Sequence, residues 1–105
     1  MRGVLLWVFG VGVLAQVEVA VPAPGWARSI EVIDDGAPLM VAPDSDSRRR
    51  GTVGAGTRLG FEQRVFGDGC STGVWYETSD ALFMCEEHVE PSPLPPGPAV
   101  DALGS

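Results

Sequence analysis

The stretch GTVGAGTRL, residues 51–59, decides the fold that this chain is expected to adopt. Thr52 and Val53 have the β-branched content of a short strand. Residues 54–56, Gly-Ala-Gly, supply a tight turn in which glycine can adopt a positive φ angle. Residues 57–61 resume an extended pattern. A strand, a turn and a second strand in so short a stretch favour a small β domain.

Strand and turn signals of the same kind continue on both sides of this stretch. Short apolar or β-branched runs, the signature of strands, occur at residues 29–33, 39–41, 74–78 and 81–85. Turn residues such as Asp34-Asp35-Gly36 separate them. Residues 86–89 are expected to close the domain as a short helical turn and a final strand. The pattern predicts an all-β domain over residues 34–91, an antiparallel barrel of about five or six short strands.

The two ends of the chain differ in composition from this domain. Residues 3–14 are almost wholly apolar after Met1-Arg2, which is typical of an export signal. Ala15 closes the first cleavage motif, and Ala20, Ala23 and Ala27 are later candidates. The alternative is an uncleaved membrane anchor over residues 4–21. Residues 1–27 are therefore predicted to be a signal or anchor with its linker, and residues 92–105 a proline-rich, extended tail.

Charge and cysteine content narrow the class of protein. The net charge is -7 over 105 residues, which argues against nucleic acid as a partner because phosphates require a basic surface. The chain has only two cysteines, Cys70 and Cys85. In an exported chain they are expected to form a disulfide. By closing a loop of this size, the disulfide would contribute about 3 kcal/mol to the free energy of unfolding. Export would place the domain in the periplasm, the cell envelope or outside the cell.

The residues form no convincing catalytic constellation, and no metal or cofactor is expected. His88 is the only histidine, and Cys85-x-x-His88 would give at most three metal ligands with Cys70, whereas a structural zinc site needs four. We therefore predict that these residues carry no enzyme activity. A small enzyme that uses Cys85 or His88 is a less favoured alternative, and a free, reactive Cys85 would support it.

Aromatic and arginine residues are the candidates for ligand contacts. Trp75 and Tyr76 are consecutive on a predicted strand, so one is expected to face the core and the other solvent. The outward residue, with Phe66 or Phe83, could line a shallow groove. Arg48, Arg49 and Arg50 fall in a predicted loop. They either pair with Asp44 and Asp46 or contact an anionic polymer or carboxylate.

Three groups of residues resemble the bacterial SH3-like domains. They are residues 53–59, VGAGTRL, residues 73–78, GVWYET, and residues 82–84 with the closing His88-Val89. The family pattern is Val-x-x-Gly-Thr-x-Leu, then Gly-Trp-Tyr, then Gly-Trp-Val. Here Val74 separates glycine from tryptophan, and Phe83 takes the place of the last tryptophan. The resemblance implies a small SH3-like antiparallel barrel over roughly half of the chain.

A narrower resemblance concerns the region before the catalytic domain of some exported L,D-transpeptidase-like cell-wall enzymes. The similar elements are the Ser-Arg-Arg-Arg-Gly segment at residues 47–51, the Gly-x-Gly-Cys loop ending at Cys70, and the Cys-Glu-x-His-Val-Glu close at residues 85–90. The resemblance implies a non-catalytic module that binds peptidoglycan or docks a partner catalytic domain. The alternative is a stand-alone interaction protein of the envelope, held in the membrane by its N-terminal segment.

Overall fold

The computed structural model describes residues 20–99, which contain nine strands and one short 3₁₀ helix. The 3₁₀ helix spans Glu86–His88. The strands are β1 (Ala20–Val21), β2 (Ser29–Val32), β3 (Ala37–Met40), β4 (Arg49–Val53), β5 (Arg58–Leu59), β6 (Phe61–Phe66), β7 (Val74–Thr78), β8 (Phe83–Cys85) and β9 (Val89–Ser92).

The strands form two antiparallel sheets. One sheet has six strands in the order β1-β6-β7-β8-β3-β4, and the other has three in the order β9-β2-β5. The prediction of an all-β antiparallel domain is confirmed. Within residues 20–99 the sheets keep free edges, so the expected closed barrel is not formed, and the strands exceed the five or six expected. No helix in this range is long and apolar enough to cross a membrane.

The strand–turn–strand stretch at residues 51–59 connects the two sheets. β4 belongs to the six-stranded sheet and β5 to the three-stranded one, with the glycine turn between them. Gly56 has the positive φ expected of this turn, 89°. Its N–H donates to the carbonyl of Val32 at 2.7 Å, and the N–H of Val32 donates to the carbonyl of Thr57 at 2.9 Å. These hydrogen bonds extend the pairing of β2 with β5 into the turn, so the turn is held to the three-stranded sheet as the chain passes from one sheet to the other.

One apolar cluster fills the space between the two sheets, and we call it the sheet-covered core. β2 and β9 pair antiparallel and contribute residues from one side, and β3, β7 and β8 contribute from the other. Leu59 and Phe61 pack at its margin. The buried members are Ile30, Val32, Ala37, Tyr76, Met84 and Val89.

A second apolar cluster lies on the opposite face of the six-stranded sheet, and we call it the loop-covered core. Trp75 pairs with Cys85 of β8 and Val65 of β6, so these side chains share that face. Phe83 packs against the same cluster. Loops rather than strands cover it. Its buried members are Met40, Val65, Cys70, Trp75 and Cys85.

The packed structure reaches beyond residues 34–91 in both directions. β1 pairs with β6, and the guanidinium of Arg64 donates to the carbonyl of Pro22 at 2.6 Å. After β9, Gly97 and Arg58 exchange two backbone hydrogen bonds of 2.8 and 2.9 Å. The first part of the predicted tail therefore lies along β5. Residues 1–19 and 100–105 lie outside the described range, and with them most of the predicted signal or anchor.

Candidate functional site

A pocket of about 390 Å³ opens on the face of the loop-covered core. Trp75, Cys85, Met40 and Pro38 give it an apolar floor and side. Its volume falls near the lower end of the range of roughly 300 to 1,000 Å³ that is typical of small-molecule sites. The rest of its lining is polar or glycine, so the pocket offers both apolar contacts and groups that can orient a ligand, as binding sites do.

The disulfide Cys70–Cys85 supports the floor of this pocket. It joins the glycine-rich loop, residues 67–73, to the end of β8, with the two Cα atoms 5.5 Å apart. This confirms the predicted pairing. Trp75 packs beside it with 2% of its surface exposed. A Cβ atom at Gly67 would lie only 2.6 Å from Cδ1 of Trp75, so a glycine is required where the loop crosses the indole.

Two loops lie side by side at the margin of the pocket. The N–H of Asp68 donates to the carbonyl of Pro43 at 3.0 Å, and the N–H of Ser45 donates to the carbonyl of Asp68 at 3.1 Å. Gly69, with a φ of 79°, approaches Ser45 so closely that a Cβ atom would lie 1.7 Å from its Oγ. Ser45, Ser47 and Gly69 line the pocket here. Backbone hydrogen bonds therefore hold the margin in place.

The acidic and histidine side chains of the pocket are paired with one another or with neighbours. Nδ1 of His88 lies 2.9 Å from a carboxylate oxygen of Asp34, and Nε2 lies 3.5 Å from Glu87. The hydroxyl of Ser71 donates to the other carboxylate oxygen of Glu87. Glu87 and His88 line the pocket with their polar partners already in place.

Arg49 contributes the available positive charge. Its side chain lines the pocket and is exposed. Within residues 20–99 no carboxylate lies within ion-pairing distance of it. The pairing of the arginine cluster with Asp44 and Asp46, one of the two sequence-based interpretations, is therefore absent from this part of the chain. A guanidinium that lines a pocket can bind a carboxylate through two parallel hydrogen bonds.

The prediction that the three arginines lie in a loop is wrong for two of them, which belong to a strand. Arg49 and Arg50 belong to β4, which is an edge strand, and Arg48 precedes it. The pairing of β3 with β4 shifts register between Leu39 and Met40, so that Arg49 lies opposite Met40. This irregularity places Arg49 beside the pocket, while Arg48 and Arg50 are exposed outside it.

Trp75 and Tyr76 lie on opposite faces of β7, as expected, but the prediction that one of them faces solvent is wrong. They are 2% and 1% exposed, because the loop-covered core buries the first and the sheet-covered core buries the second. Of the predicted aromatic contacts, only Trp75 lines the pocket. Phe83 is half-buried against the loop-covered core, and Phe66 is exposed elsewhere on β6.

Tyr76 lies in the sheet-covered core, on the side of the sheet away from the pocket. Its ring packs edge-on against Phe61, with 5.2 Å between ring centroids, and the Arg64 guanidinium lies 5.5 Å from the ring centre. Arg64 also forms an ion pair with Glu86. Burial raises the pKa of the Tyr76 phenol above its usual value; Arg64 lowers it in part, and Glu86 raises it further.

One group of side chains has the spacing of a metal site but lacks the chemistry. Ligand atoms of Cys85, Glu87 and His88 lie within 4.8 Å of one another. The sulfur of Cys85 is bonded to Cys70, so it is neither a thiolate ligand nor a nucleophile here. Glu87 and His88 alone fall short of the four ligands of a structural zinc site.

Sequence reasoning missed most of the pocket lining. Met40, Ser45, Gly69 and Glu87 are separated along the chain and come together only through the loop pairing and the disulfide. The glycines at 67 and 69 were the available signal, since closely spaced glycines mark a close approach of backbone to another group. Their partners could not be read from the sequence.

The chain was compared with known proteins at three levels. No protein-family model, no curated protein and no solved structure matches it. Its function is therefore inferred from the pocket and its surroundings.

Proposed function

We propose that this chain is an exported, non-catalytic recognition module of the SH3-like type that binds cell-wall peptidoglycan through the pocket beside Arg49. The observation that carries the proposal is a pocket of mixed apolar and polar lining on a small disulfide-linked β scaffold, with the guanidinium of Arg49 free of any ion pair within residues 20–99. The scaffold holds the pocket through backbone contacts and a crosslink. Such preorganisation favours binding because little flexibility is lost on association.

The disulfide supports the exported location. Disulfides persist in oxidising compartments and are rare in the reducing cytosol. The Cys70–Cys85 bond closes a sequence separation of 15 residues in a domain with two small cores. A chain that carries such a crosslink is suited to the periplasm, the envelope or the extracellular space, where peptidoglycan is found.

The position of Arg49 supports an anionic ligand. The chain as a whole carries a net charge of -7, so an anionic polymer is repelled by most of its surface. Three consecutive exposed arginines on and before β4 give one local exception, and Arg49 is the member that borders the pocket. Peptidoglycan carries carboxylates on its peptides and is compatible with this local charge.

A co-sedimentation assay with purified peptidoglycan sacculi tests the proposal. The full chain, purified with its disulfide intact, is expected to sediment with the sacculi. Arg49→Ala should lose most of this retention, and Arg50→Ala should keep it. The pair is matched because both variants remove one arginine charge from the same exposed strand.

Retention no greater than that of a neutral control protein would overturn wall binding. Retention that Arg49→Ala and Arg50→Ala reduce equally would overturn the pocket as its site. In the first case a partner catalytic domain becomes the candidate ligand of the same pocket.

A further inference from the structure

We infer that the pocket recognises the peptide part of the wall polymer, and specifically a free carboxylate carried on a small apolar residue, rather than its sugar rings. This inference rests on the proposed function and names the chemical group that is bound. Three features of the loop-covered face support it: the burial of its aromatic rings, the guanidinium of Arg49 without an ion-pair partner in residues 20–99, and the apolar side chains beside it.

The aromatic side chains of this face are placed to support the fold and not to stack on sugars. A sugar-binding platform needs an open ring face. Trp75 is 2% exposed, and Phe83 is half-buried against the loop-covered core. The large exposed aromatics within residues 20–99 are Trp26 and Phe66, and neither lines the pocket. Trp75 lines the pocket, but with 2% of its surface exposed it offers a sugar ring very little aromatic surface.

The lining of the pocket carries charges of both signs. Glu87 is negative, but its carboxylate accepts a hydrogen bond from Ser71 and lies 3.5 Å from His88, which also contacts Asp34. Arg49 remains without an ion-pair partner among the described residues. A bidentate hydrogen bond to a carboxylate is the interaction to which a guanidinium is best suited. The ligand group is accordingly a carboxylate.

The recess next to Arg49 selects what carries that carboxylate. Met40, Pro38 and the Cys85 side of the disulfide offer apolar contacts, and Gly69, packed against Ser45, lines the pocket at its margin. A volume of about 390 Å³ accommodates the end of a short peptide better than a polymer segment. A terminal residue with a small aliphatic side chain matches both features.

The test uses N-acetyl-alanyl-alanine with a free carboxylate and the same dipeptide with a C-terminal amide. Binding to the full chain is followed in NMR titrations by the indole N–H resonance of Trp75. The free acid is expected to bind about tenfold more tightly than the amide, because the amide cannot form the charge-assisted pair. Equal affinities for acid and amide would overturn the inference.

Two variants assign the preference to Arg49. In Arg49→Ala the difference between acid and amide should disappear, whereas in Arg50→Ala it should stay about tenfold. Loss of the preference in both variants would show that general electrostatic attraction, and not the pocket, selects the acid. Circular dichroism of each variant, unchanged from the parent protein, verifies that the fold is intact.

The failure of this inference can be separated from the failure of the proposed function. Sacculi that retain the protein while acid and amide bind alike would contradict the carboxylate and leave wall binding in place. A tenfold preference for the acid without retention on sacculi would keep the pocket chemistry and remove peptidoglycan as its source. A competition assay gives a further check, in which soluble wall peptides or intact glycan strands are added to the protein and sacculi. Only the peptides should reduce the retention of the protein on the sacculi.

Discussion

The two faces of the six-stranded sheet bury apolar side chains by different means. The sheet-covered core is closed by a second layer of strands, β9-β2-β5, which is connected to the first layer by the turn that follows β4. The loop-covered core is closed by two loops and a disulfide, and it contains the pocket. Strand β7 serves both, since Trp75 enters one core and Tyr76 the other.

This difference separates stability from recognition. A strand layer satisfies its own backbone hydrogen bonds and leaves no opening, so the sheet-covered core can contribute packing but no accessible surface. Loops leave gaps between their turns, and a crosslink can hold those gaps in a fixed shape. The loop-covered face is therefore the face on which a small domain can carry a binding site without giving up its main core.

The sharpest comparison of the two cores is the same substitution in each. Met84→Ala removes a fully buried side chain from the sheet-covered core and should cost about 2–5 kcal/mol of the free energy of unfolding. Met40→Ala should cost less, because Met40 borders a pocket that already admits solvent. Urea denaturation followed by circular dichroism measures both. An equal or larger loss for Met40→Ala would contradict the difference between the cores.

Removal of the disulfide tests the loop-covered core alone. The double variant Cys70→Ser, Cys85→Ser should lose about 3 kcal/mol by the loop-entropy estimate. It should also weaken retention on sacculi, since the pocket floor loses its support. Thermal unfolding without reductant measures the first effect, and the parent protein in reductant is the control. A change below about 0.5 kcal/mol would show that the loops hold without the crosslink.

A pair of glycine substitutions separates the close loop contact from the open edge. Gly67→Ala should cost about 1–3 kcal/mol, because its Cβ would lie 2.2 Å from the carbonyl of Pro43 and 2.6 Å from Trp75. Gly51→Ala, on edge strand β4 with no atom within 4 Å, should change stability by less than about 0.5 kcal/mol. Equal effects in chemical denaturation would contradict the tight packing of the loop on Trp75.

The smallest effect is expected from the titration of Tyr76, which reports on the sheet-covered core. Burial raises the pKa of its phenol in the folded state. The stability that this difference provides is fully present below the unfolded pKa of about 10, and it is lost as the pH rises through the folded pKa. Tyr76 is the only tyrosine, so absorbance at alkaline pH follows it directly. Titration at the unfolded value in the folded protein would contradict its burial.

The parts of the fold that depend on local chemistry could be predicted from the sequence. The glycine turn, the strand at residues 74–78 and the pairing of the only two cysteines follow from conformational freedom, β propensity and composition. The burial of both Trp75 and Tyr76 could not be predicted, because it depends on contacts between distant parts of the chain. Tyr76 is covered by the paired strands β2 and β9, and Trp75 by the loop at Gly67 and the disulfide.

The candidate site was less predictable for a similar reason. Arg49 borders the pocket because the register between β3 and β4 shifts after Leu39. A shift of one residue exchanges the faces on which side chains lie, and the sequence of three equivalent arginines does not specify where it occurs. The sequence therefore predicted the arginine cluster as a contact site, but it could not show that Arg49 is the arginine that lines the pocket.

The central claim is that binding occurs on the loop-covered face and leaves the sheet-covered face unchanged. Hydrogen exchange, measured by mass spectrometry with and without soluble peptidoglycan fragments, tests it most directly. Binding is expected to slow exchange in residues 43–50 and 67–73, which surround the pocket, and to leave the β2 and β9 segments unaffected. Protection of β2 and β9, with none in the two loops, would contradict the account.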